Sequence, residues 1–545
     1  MEQGPVGRGR ASGEPRAERA GWRRLLPAAA VLMTAAFVIL SSPGLTRWWP
    51  LSLLAWMAPV PLLVELPRHG LRKAFLLGWV AGTLINLGLC SCFPALLTRF
   101  AGLHPALALA LTLVIVAYQG LGWAAWATVV RGAATARAGP LLAATAMVLV
   151  ERWFPMVFPY SLGQTQYRWL PMIQVAELGG PYVVTFLMFL LAATVARAIG
   201  SRRQGHRLPW PAILVASATV AAALAFGQVR LASTAQARER APTLHVGVVQ
   251  GSVAHTDWVA RPADDLATLT RYQQLSAELE RRDRPDLLVW PEKAYPLLLR
   301  HDAAHDYPLG NPHRVREGFD RPLIFGATTV DVSSREIYNS AAFLDASDSL
   351  QIAYDKVRLI FYSEWLPRSL RGWVSGNWYR PGTRLEPLLV QVPNADGTVR
   401  QVSVSLFICF EAIFPDHVRE LVKRRPELLV NLSDDSWFGD SLEPEQHLSS
   451  TVFRAIESRR DLVRATGSGI SAFIAATGEI QQRTELSKAP SESRSLDLRQ
   501  VRLLQLPSIY GAVGDLFCWC SAGIVLLVLG AHRATRARRA RRPPP

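Results

Sequence analysis

The sequence predicts an α/β domain inserted in a polytopic bundle of eight transmembrane helices. Three observations carry that reading. Half of the 545 residues are hydrophobic and only 19% are charged, a balance shifted away from that of soluble enzymes. Seven long apolar runs crowd the first 228 residues, and an eighth lies near the end of the chain. Between them, residues 229–510 change to short β-branched runs separated by helix-length stretches.

The apolar runs fall near 25–42, 49–65, 74–97, 104–130, 138–158, 178–199, 209–227 and 515–532. Each approaches or exceeds the ~20 residues that cross ~30 Å of hydrocarbon. The polar stretch before the first is too long for an ordinary signal peptide and no clear cleavage site follows, so that run is read as a retained helix. The expected organisation is a basic tail (1–24), seven transmembrane segments (25–228), a catalytic domain (229–510), an eighth transmembrane helix (511–532) and an Arg/Pro-rich tail (533–545).

Charge sets the expected orientation. The formal charge of +16 is nearly all arginine, since the chain has only five lysines. Six arginines precede the first apolar run (Arg8, Arg10, Arg16, Arg19, Arg23, Arg24) and six follow the last (Arg533, Arg536, Arg538, Arg539, Arg541, Arg542). Clusters that abut apolar runs read as positive-inside anchors rather than as a nucleic-acid surface. The loops after the second, fourth and sixth runs carry Arg68, Arg72 and Lys73, then Arg131 and Arg137, then Arg202, Arg203 and Arg207. The alternate loops carry Arg47, Arg99 and Arg168 alone. Both termini are therefore expected in the cytoplasm and the large domain on the far side. Glu151 and Arg152 sit near one end of the fifth run, where an intramembrane charge is a functional candidate unless it lies at the interface.

Within the large domain, Val246–Gln250, Asp286–Trp290, Pro322–Gly326, Val404–Ile408 and Leu428–Asn431 suit buried strands. Asp264–Arg282 and Gln446–Arg460 suit helices. That alternation places chemistry at strand ends. Three ends stand out. Trp290-Pro291-Glu292 puts a carboxylate directly after a strand and a proline. Tyr354-Asp355-Lys356 places one of the few lysines eight residues before Glu364. Phe407-Ile408-Cys409-Phe410-Glu411 ends an apolar run on the only cysteine of the domain. Each has an ordinary alternative: a solvated glutamate, a surface lysine, a small buried thiol. The other four cysteines, Cys90, Cys92, Cys518 and Cys520, lie in apolar runs and read as packing residues; five are too few for a disulfide scaffold.

Taken together and in order, these pieces resemble the nitrilase superfamily and, within it, the apolipoprotein N-acyltransferases. The ordered set is Trp-Pro-Glu292, Tyr-Asn339-Ser, Tyr-Asp-Lys356 with Glu364, Cys409-Phe-Glu411 and Asn431-Leu-Ser-Asp-Asp-Ser-Trp437-Phe-Gly. Gln446-His447 and Arg454-Ala-Ile-Glu457 follow. Val249-Gln250-Gly251 with Trp258 resembles the start of the domain, and Phe158–Gln166 and Glu177–Tyr182 resemble the family's loop and sixth membrane segment. The resemblance implies a nitrilase-like αββα sandwich with a catalytic triad of Glu292, Lys356 and Cys409. It implies that Glu364 and Glu411 orient Lys356 and the acid–base proton, and that Trp258, Asn339, Phe410 and Trp437 line the substrate pocket. The implied reaction carries an acyl chain from a glycerophospholipid, through a thioester on Cys409, to the N-terminal amine of a diacylglyceryl-lipoprotein. The implied location is a bacterial inner membrane, with the catalytic domain on the periplasmic side.

The chemistry asks for these residue types. A thiol near pKa ~8.5 gives little thiolate at neutral pH, so Glu292 is expected as base and Lys356 as the cation beside thiolate and oxyanion. The sequence carries no metal-ligand cluster or glycine-rich phosphate loop, so the reading includes no cofactor. Phe410 stands where the family usually has tyrosine, Phe361-Tyr362-Ser363-Glu364-Trp365 departs from the family's run, Asp434 stands for an asparagine, and Thr466–Gly469 replaces an Asn-containing turn. These departures surround the pocket and leave the triad. A membrane-anchored amidase that uses water as acceptor, or a non-enzymatic transporter or receptor with a large outer domain, are the competing readings.

Overall fold

The computed structural model describes residues 14–45, 48–100, 102–133, 138–251, 262–361, 363–367, 369, 378–393, 399–486 and 494–540. All eight apolar runs are largely helical. The first holds α1 (Glu14–Leu40) and the second the short helices α2 (Leu54–Met57) and α3 (Val60–Glu65). The third holds α4 (Leu71–Leu89) and α5 (Phe93–Phe100), the fourth α6 (Pro105–Gly132) and the fifth α7 (Gly139–Trp153). After a short α8 (Leu170–Ile173) come α9 (Pro181–Arg203) and α10 (Trp210–Arg240).

The expected count of eight full-length crossings is only partly matched. Among the described residues, five stretches are individually long and apolar enough to cross a membrane: Trp49–Arg68, Pro105–Gly132, Pro181–Arg203, Trp210–Arg240 and Leu516–Thr535. The bent pair of α4 and α5 makes a sixth if it forms one span. The apolar part of α1, Leu25–Leu40, is shorter, and α7 has 15 residues. Proline accounts for two of the differences. Pro155 pushes Phe154 to an extended conformation (φ −68°, ψ 123°), so α7 ends before the apolar run does. Pro94 has no N–H to continue the ladder, and the chain bends by 55° between α4 and α5. In the other direction, α10 continues past its apolar run to Arg240.

The domain that follows is a four-layer αββα sandwich. Its strands are β1 (Thr243–Gln250), β2 (Leu287–Val289), β3 (Tyr295–Arg300), β4 (Leu323–Val330), β5 (Ile337–Leu344), β6 (Leu350–Asp355) and β7 (Leu388–Pro393). They continue with β8 (Val399–Ile408), β9 (Leu428–Ser433), β10 (Asp461–Thr466), β11 (Ala472–Ile474), β12 (Ile480–Arg483) and β13 (Arg494–Arg502). One sheet runs β13-β1-β2-β4-β5-β6, with β3 on β4; the other runs β12-β11-β10-β9-β8-β7. The strands that lead to Glu292 and Cys409 lie among parallel neighbours, β1-β2-β4 in one sheet and β8-β9-β10 in the other, whereas β6, which leads to Lys356, pairs antiparallel with β5. The strands expected from sequence match β1, β2, β4, β8 and β9, and the expected helices match α11 (Pro262–Asp283) and α13 (Glu443–Ser458).

The inner faces bury Val246, Val248, Val289 and Ile324 against Val404, Leu406, Val430 and Val463. Helix α11 covers the outer face of the first sheet, with Leu269, Tyr272 and Leu279 on Leu288, Trp290 and Phe325. Helices α12 (Pro415–Val422) and α13 cover the second sheet. Every residue of α13 except Gln446 is buried, because its far side rests on the loops of the helical bundle. The chain returns through α14 (Ile509–Val513) and α15 (Leu516–Ala540), and α15 packs on α7.

Ion pairs fix the sandwich to the bundle. Glu177, between α8 and α9, binds Arg459 (2.6 Å) at the end of α13 and Arg230 (2.7 Å) on α10. Glu177 and Arg459 have no exposed side-chain surface. Arg238 of α10 binds Asp461 at the start of β10 (2.8 Å). The two charges flagged in the fifth run are likewise paired: Glu151 accepts from Ser161 Oγ, Thr185 Oγ1 and the Leu162 N–H, and Arg152 binds Asp515 at 2.7 Å.

Removing one partner of a buried pair strands the other charge, at roughly 3–5 kcal/mol. Glu177→Gln should therefore lower the apparent melting temperature of the detergent-solubilised protein by several degrees. Arg300→Gln, which breaks a pair whose partners are 63% and 64% exposed, should leave it unchanged. Equal behaviour of the two variants would remove Glu177 from this role.

Candidate active site

Glu292 sits in a break between two strands that share one edge of β4. β2 pairs with Leu323 and Ile324, and β3 pairs with Ala327–Val330. Between them the chain bulges through Pro291, whose carbonyl accepts from the Gly326 N–H (3.1 Å). A side chain on Gly326 would stand 2.5 Å from the Glu292 Cα, so glycine is required for this approach. The next residue, Lys293, adopts a left-handed φ of 54°. The bulge turns the Glu292 carboxyl inward, where it is 4% exposed.

Lys356 follows the last residue of β6, and its N–H donates to the Asn339 carbonyl on β5 (2.8 Å). Its Nζ lies 2.7 Å from Glu364 Oε1 and 3.5 Å from Glu292 Oε1. Asn339 Nδ2 bridges the same two oxygens, at 2.7 Å from Glu292 and 3.1 Å from Glu364. Glu364 Oε2 accepts from the Ile360 N–H (2.9 Å), which fixes the loop that carries it. The outcome is a division of labour on one carboxyl group. Glu292 Oε1 is held by Asn339 and Lys356, whereas the buried Oε2 has no hydrogen-bond partner among the described residues.

Cys409 ends β8 and begins the 3-10 helix Cys409–Ile413, with a left-handed φ of 51°. A non-glycine residue in that region marks a constrained turn of the kind that presents a nucleophile. Two side chains hold it. Glu411, fully buried, accepts from the Ile408 N–H (2.7 Å), the Val357 and Arg358 N–H groups (2.7 and 2.9 Å) and the Tyr354 hydroxyl (2.8 Å). His447 on α13 donates from Nε2 to the Cys409 carbonyl (3.0 Å), and its Nδ1 lies 3.1 Å from Arg464 Nη2, which also binds Asp435 (2.8 Å). Glu364 touches Lys356 as expected. Glu411 contacts neither Lys356 Nζ nor Glu292; it holds the backbone on either side of the site instead.

Burial pushes the Cys409 thiol well above its ordinary value, and Glu292 pushes the same way; Lys356 pulls it down. Burial opposes the Lys356 charge, but Glu292 and Glu364 outweigh it and hold the ammonium well above the usual lysine range. Burial likewise raises Glu364, yet Lys356 and Lys293 bring its carboxyl below the usual value. A raised lysine stabilises the fold below its unfolded pKa, and a lowered glutamate stabilises it above its own. Both contributions are therefore present together from about pH 5 to about pH 10.

Of the expected pocket residues, Asn339 is at the centre. Phe410 packs edge-on against Phe158 (5.6 Å) from the bundle and Phe414 (4.9 Å). Trp437 lies 5.8 Å from Lys293 Nζ, which also sits 5.0 Å from the Tyr379 ring. Trp258 falls outside the described residues. Sequence reasoning missed Lys293, although a second lysine beside Glu292 in a lysine-poor chain was a usable signal. It quoted His447 without giving it a task, and nothing local pointed to Arg464 or Asp435. The Asp435 carboxylate occupies the space a side chain on Gly469 would need, 2.2 Å from its Cβ position, so the altered turn and the aspartate form one unit.

Two family models match successive parts of the chain. A family model described as the apolipoprotein N-acyltransferase N-terminal domain matches residues 29–194, and one described as carbon-nitrogen hydrolase matches residues 245–491. The chain is similar to the apolipoprotein N-acyltransferase of Geobacter metallireducens, 29% identical over 514 residues covering 90% of this chain and 92% of that protein. It is also similar to the apolipoprotein N-acyltransferase of Pseudomonas putida, 30% identical over 454 residues covering 79% and 83%.

The electrostatics fix a signed order of thiol reactivity toward a neutral electrophile such as iodoacetamide. At pH 8–9 Cys409 should alkylate faster in Glu292→Gln, which removes a negative neighbour, and slower in Lys356→Met, which removes the cation. Mass spectrometry of the Cys409 peptide reads the rates, and the reverse order would contradict the arrangement.

Proposed function

The chain belongs to the apolipoprotein N-acyltransferase family, and from that premise we propose that Cys409, Glu292 and Lys356 transfer an acyl chain from a glycerophospholipid to the N-terminal amine of a diacylglyceryl-cysteine lipoprotein. The observation that carries the reading is a cysteine in a constrained turn, set beside a Glu–Lys pair and directly over a bundle of apolar helices.

In the first half-reaction Glu292 Oε2, the oxygen without a partner, takes the Cys409 proton. The thiolate attacks the ester carbonyl of the donor. The oxyanion that forms faces the Lys356 ammonium and the N–H of Phe410, in the first turn of a helix, where N–H groups have no intrahelical acceptor. Collapse breaks the ester C–O bond, and Glu292 returns its proton to the leaving lysophospholipid oxygen. In the second half-reaction the amine of the acceptor attacks the thioester and Glu292 removes the proton that nitrogen sheds. The C–S bond breaks, and the proton returns to the Cys409 sulfur. Glu364 and Asn339 keep Lys356 and Glu292 aligned through both halves, while Phe410 and Trp437 line the approach, as expected also of Trp258.

The architecture supports lipid substrates. Acyl chains that stay in the bilayer avoid the ~0.8 kcal/mol per CH₂ that exposure to water would cost. The proposed placement is a bacterial inner membrane crossed eight times, α4–α5 and the shorter α1 and α7 included, with residues 229–510 on the periplasmic side. A reporter inserted after Leu309, which is 82% exposed, and one fused after Arg542 should report opposite sides of the membrane. The same side for both would overturn the topology.

Purified protein given phospholipid alone should gain one acyl mass on the Cys409 peptide, removable by neutral hydroxylamine. Adding a diacylglyceryl-cysteinyl peptide should discharge it onto that peptide's N-terminus. Cys409→Ala, Glu292→Gln and Lys356→Ala should each abolish loading while the protein remains inserted. Hydrolysis without transfer would favour an amidase, and the absence of any adduct across a range of phospholipids would sink the donor assignment.

A further inference from the structure

A cavity of about 70 Å³ lies between the ends of α1, α4 and α7, the middle of α6 and the underside of the sandwich. That is room for several waters, or for a group of similar size. Its apolar wall includes Val38, Ile85, Leu89 and Phe158. Its polar wall is Asn86, Gln119, Glu151, Tyr160, Glu443, Gln446 and Ser450, with His447 at the edge that faces the Cys409 turn. No lysine or arginine is among the lining residues.

Nearly all of this polar surface is committed. Gln119 Nε2 donates to Asn86 Oδ1 (2.9 Å), and its Oε1 accepts from the Val157 N–H (3.0 Å). Glu151 accepts three hydrogen bonds from the loop at Ser161. Gln446 donates to Ser42 (3.2 Å), and Ser450 accepts from Gln164 (3.1 Å). Two groups are the exception: the buried hydroxyl of Tyr160, which has no hydrogen-bond partner among the described residues, and Glu443. Glu443 opens α13 and is 8% exposed, yet its buried Oε2 has no hydrogen-bond partner among the described residues. The nearby guanidinium of Arg464 is spent on Asp435.

A buried carboxylate without a partner is unfavourable by several kcal/mol, so such a group either stays neutral or awaits a compensating ligand. Burial, reinforced by Asp435, pushes the Glu443 carboxyl well above the usual range, while Arg464 pulls it down. The ligand that completes it must donate hydrogen bonds and carry positive charge. An anionic head would meet two carboxyl groups and no cation. The surrounding aliphatic and aromatic wall suits methylene groups beside the charged atom.

We propose that Glu443 and this cavity form a subsite for a primary ammonium carried on a lipid substrate. The inference rests on the lipid-substrate reading above and deepens it, because the proposed acceptor carries such a group at its N-terminus and a glycerophospholipid donor carries one where its head group is a primary amine. His447 connects the subsite to the nucleophile, since it lines the cavity and holds the Cys409 carbonyl.

Binding to full-length Cys409→Ala protein in micelles tests this without turnover. Two pairs of ligands are compared: phosphatidylethanolamine against its N-acetyl derivative, and a diacylglyceryl-cysteinyl peptide against its N-acetylated form. At least one pair should show the free amine binding about tenfold more tightly, and Glu443→Gln in the same background should bring the ratio close to one. The pair that discriminates identifies the source of the ammonium. A ratio within one preparation is insensitive to a misfolded fraction, which weakens both members alike. Equal binding in both pairs, or discrimination that survives Glu443→Gln, overturns the proposal. Failure of the acyl-transfer reading would show separately, as a missing Cys409 adduct in protein that retains the binding preference.

Discussion

The site depends on one buried carboxylate, that of Glu411. Its two oxygens collect the N–H groups of Val357 and Arg358 at the end of one sheet, the N–H of Ile408 at the end of the other, and the hydroxyl of Tyr354. Hydrogen bonds to a charged group are worth about 1.5–3 kcal/mol each. Here they act across the gap between the layers of the sandwich. Lys356 follows the end of β6, and Cys409 follows the end of β8. A sandwich core of interdigitated side chains sets the spacing of two sheets but leaves their ends free to slide. Glu411 removes that freedom at the place where lysine and cysteine must meet.

Given that clamp, the electrostatics of the site follow from burial. Lys356, Glu292, Glu364 and Cys409 are all at or below 6% exposure, so their mutual interactions are weakly screened. The ammonium lies between two carboxyl groups and holds both in place. Burial and Glu292 both disfavour the Cys409 thiolate, and Lys356 favours it. The Glu292 carboxyl is aligned by Asn339.

Much of this was legible in the sequence, for a physical reason. A buried strand that ends on a polar residue is a local pattern, and Trp290-Pro-Glu292 and Phe407-Ile-Cys409 are such patterns. Lys356 stood out because lysine is rare in this chain. The αββα layering came from the resemblance and agrees with the coordinates; Asn339 was expected only to line the pocket and is found between Glu292 and Glu364. What stayed hidden was long-range. Glu177 and Arg459 are 282 positions apart, and nothing in either neighbourhood announces the other. Phe158 meets Phe410 through the docking of bundle on sandwich, which periodicity does not encode. The bend at Cys90–Cys92 and the early end of α7 were missed because mean hydropathy counts apolar residues and ignores what proline does to a backbone. The role given to Glu411 was too narrow for a related reason: its partners are backbone N–H groups, which a sequence cannot display.

Helix α10 sets a length scale. Its 31 residues measure about 46 Å, some 16 Å more than a typical hydrocarbon layer. An unattached helix of that length would relieve the excess by tilting. This one is bolted near its end by Arg230 to Glu177 and by Arg238 to Asp461, so its angle is fixed by the rigid body it supports. On the proposed topology the height of Cys409 above the bilayer midplane is thereby a constant of the molecule, while the height of a lipid ester bond is a property of the bilayer. The enzyme is then a gauge of membrane thickness: the depth at which its site meets the ester varies with the length of the surrounding chains, whatever their chemical identity.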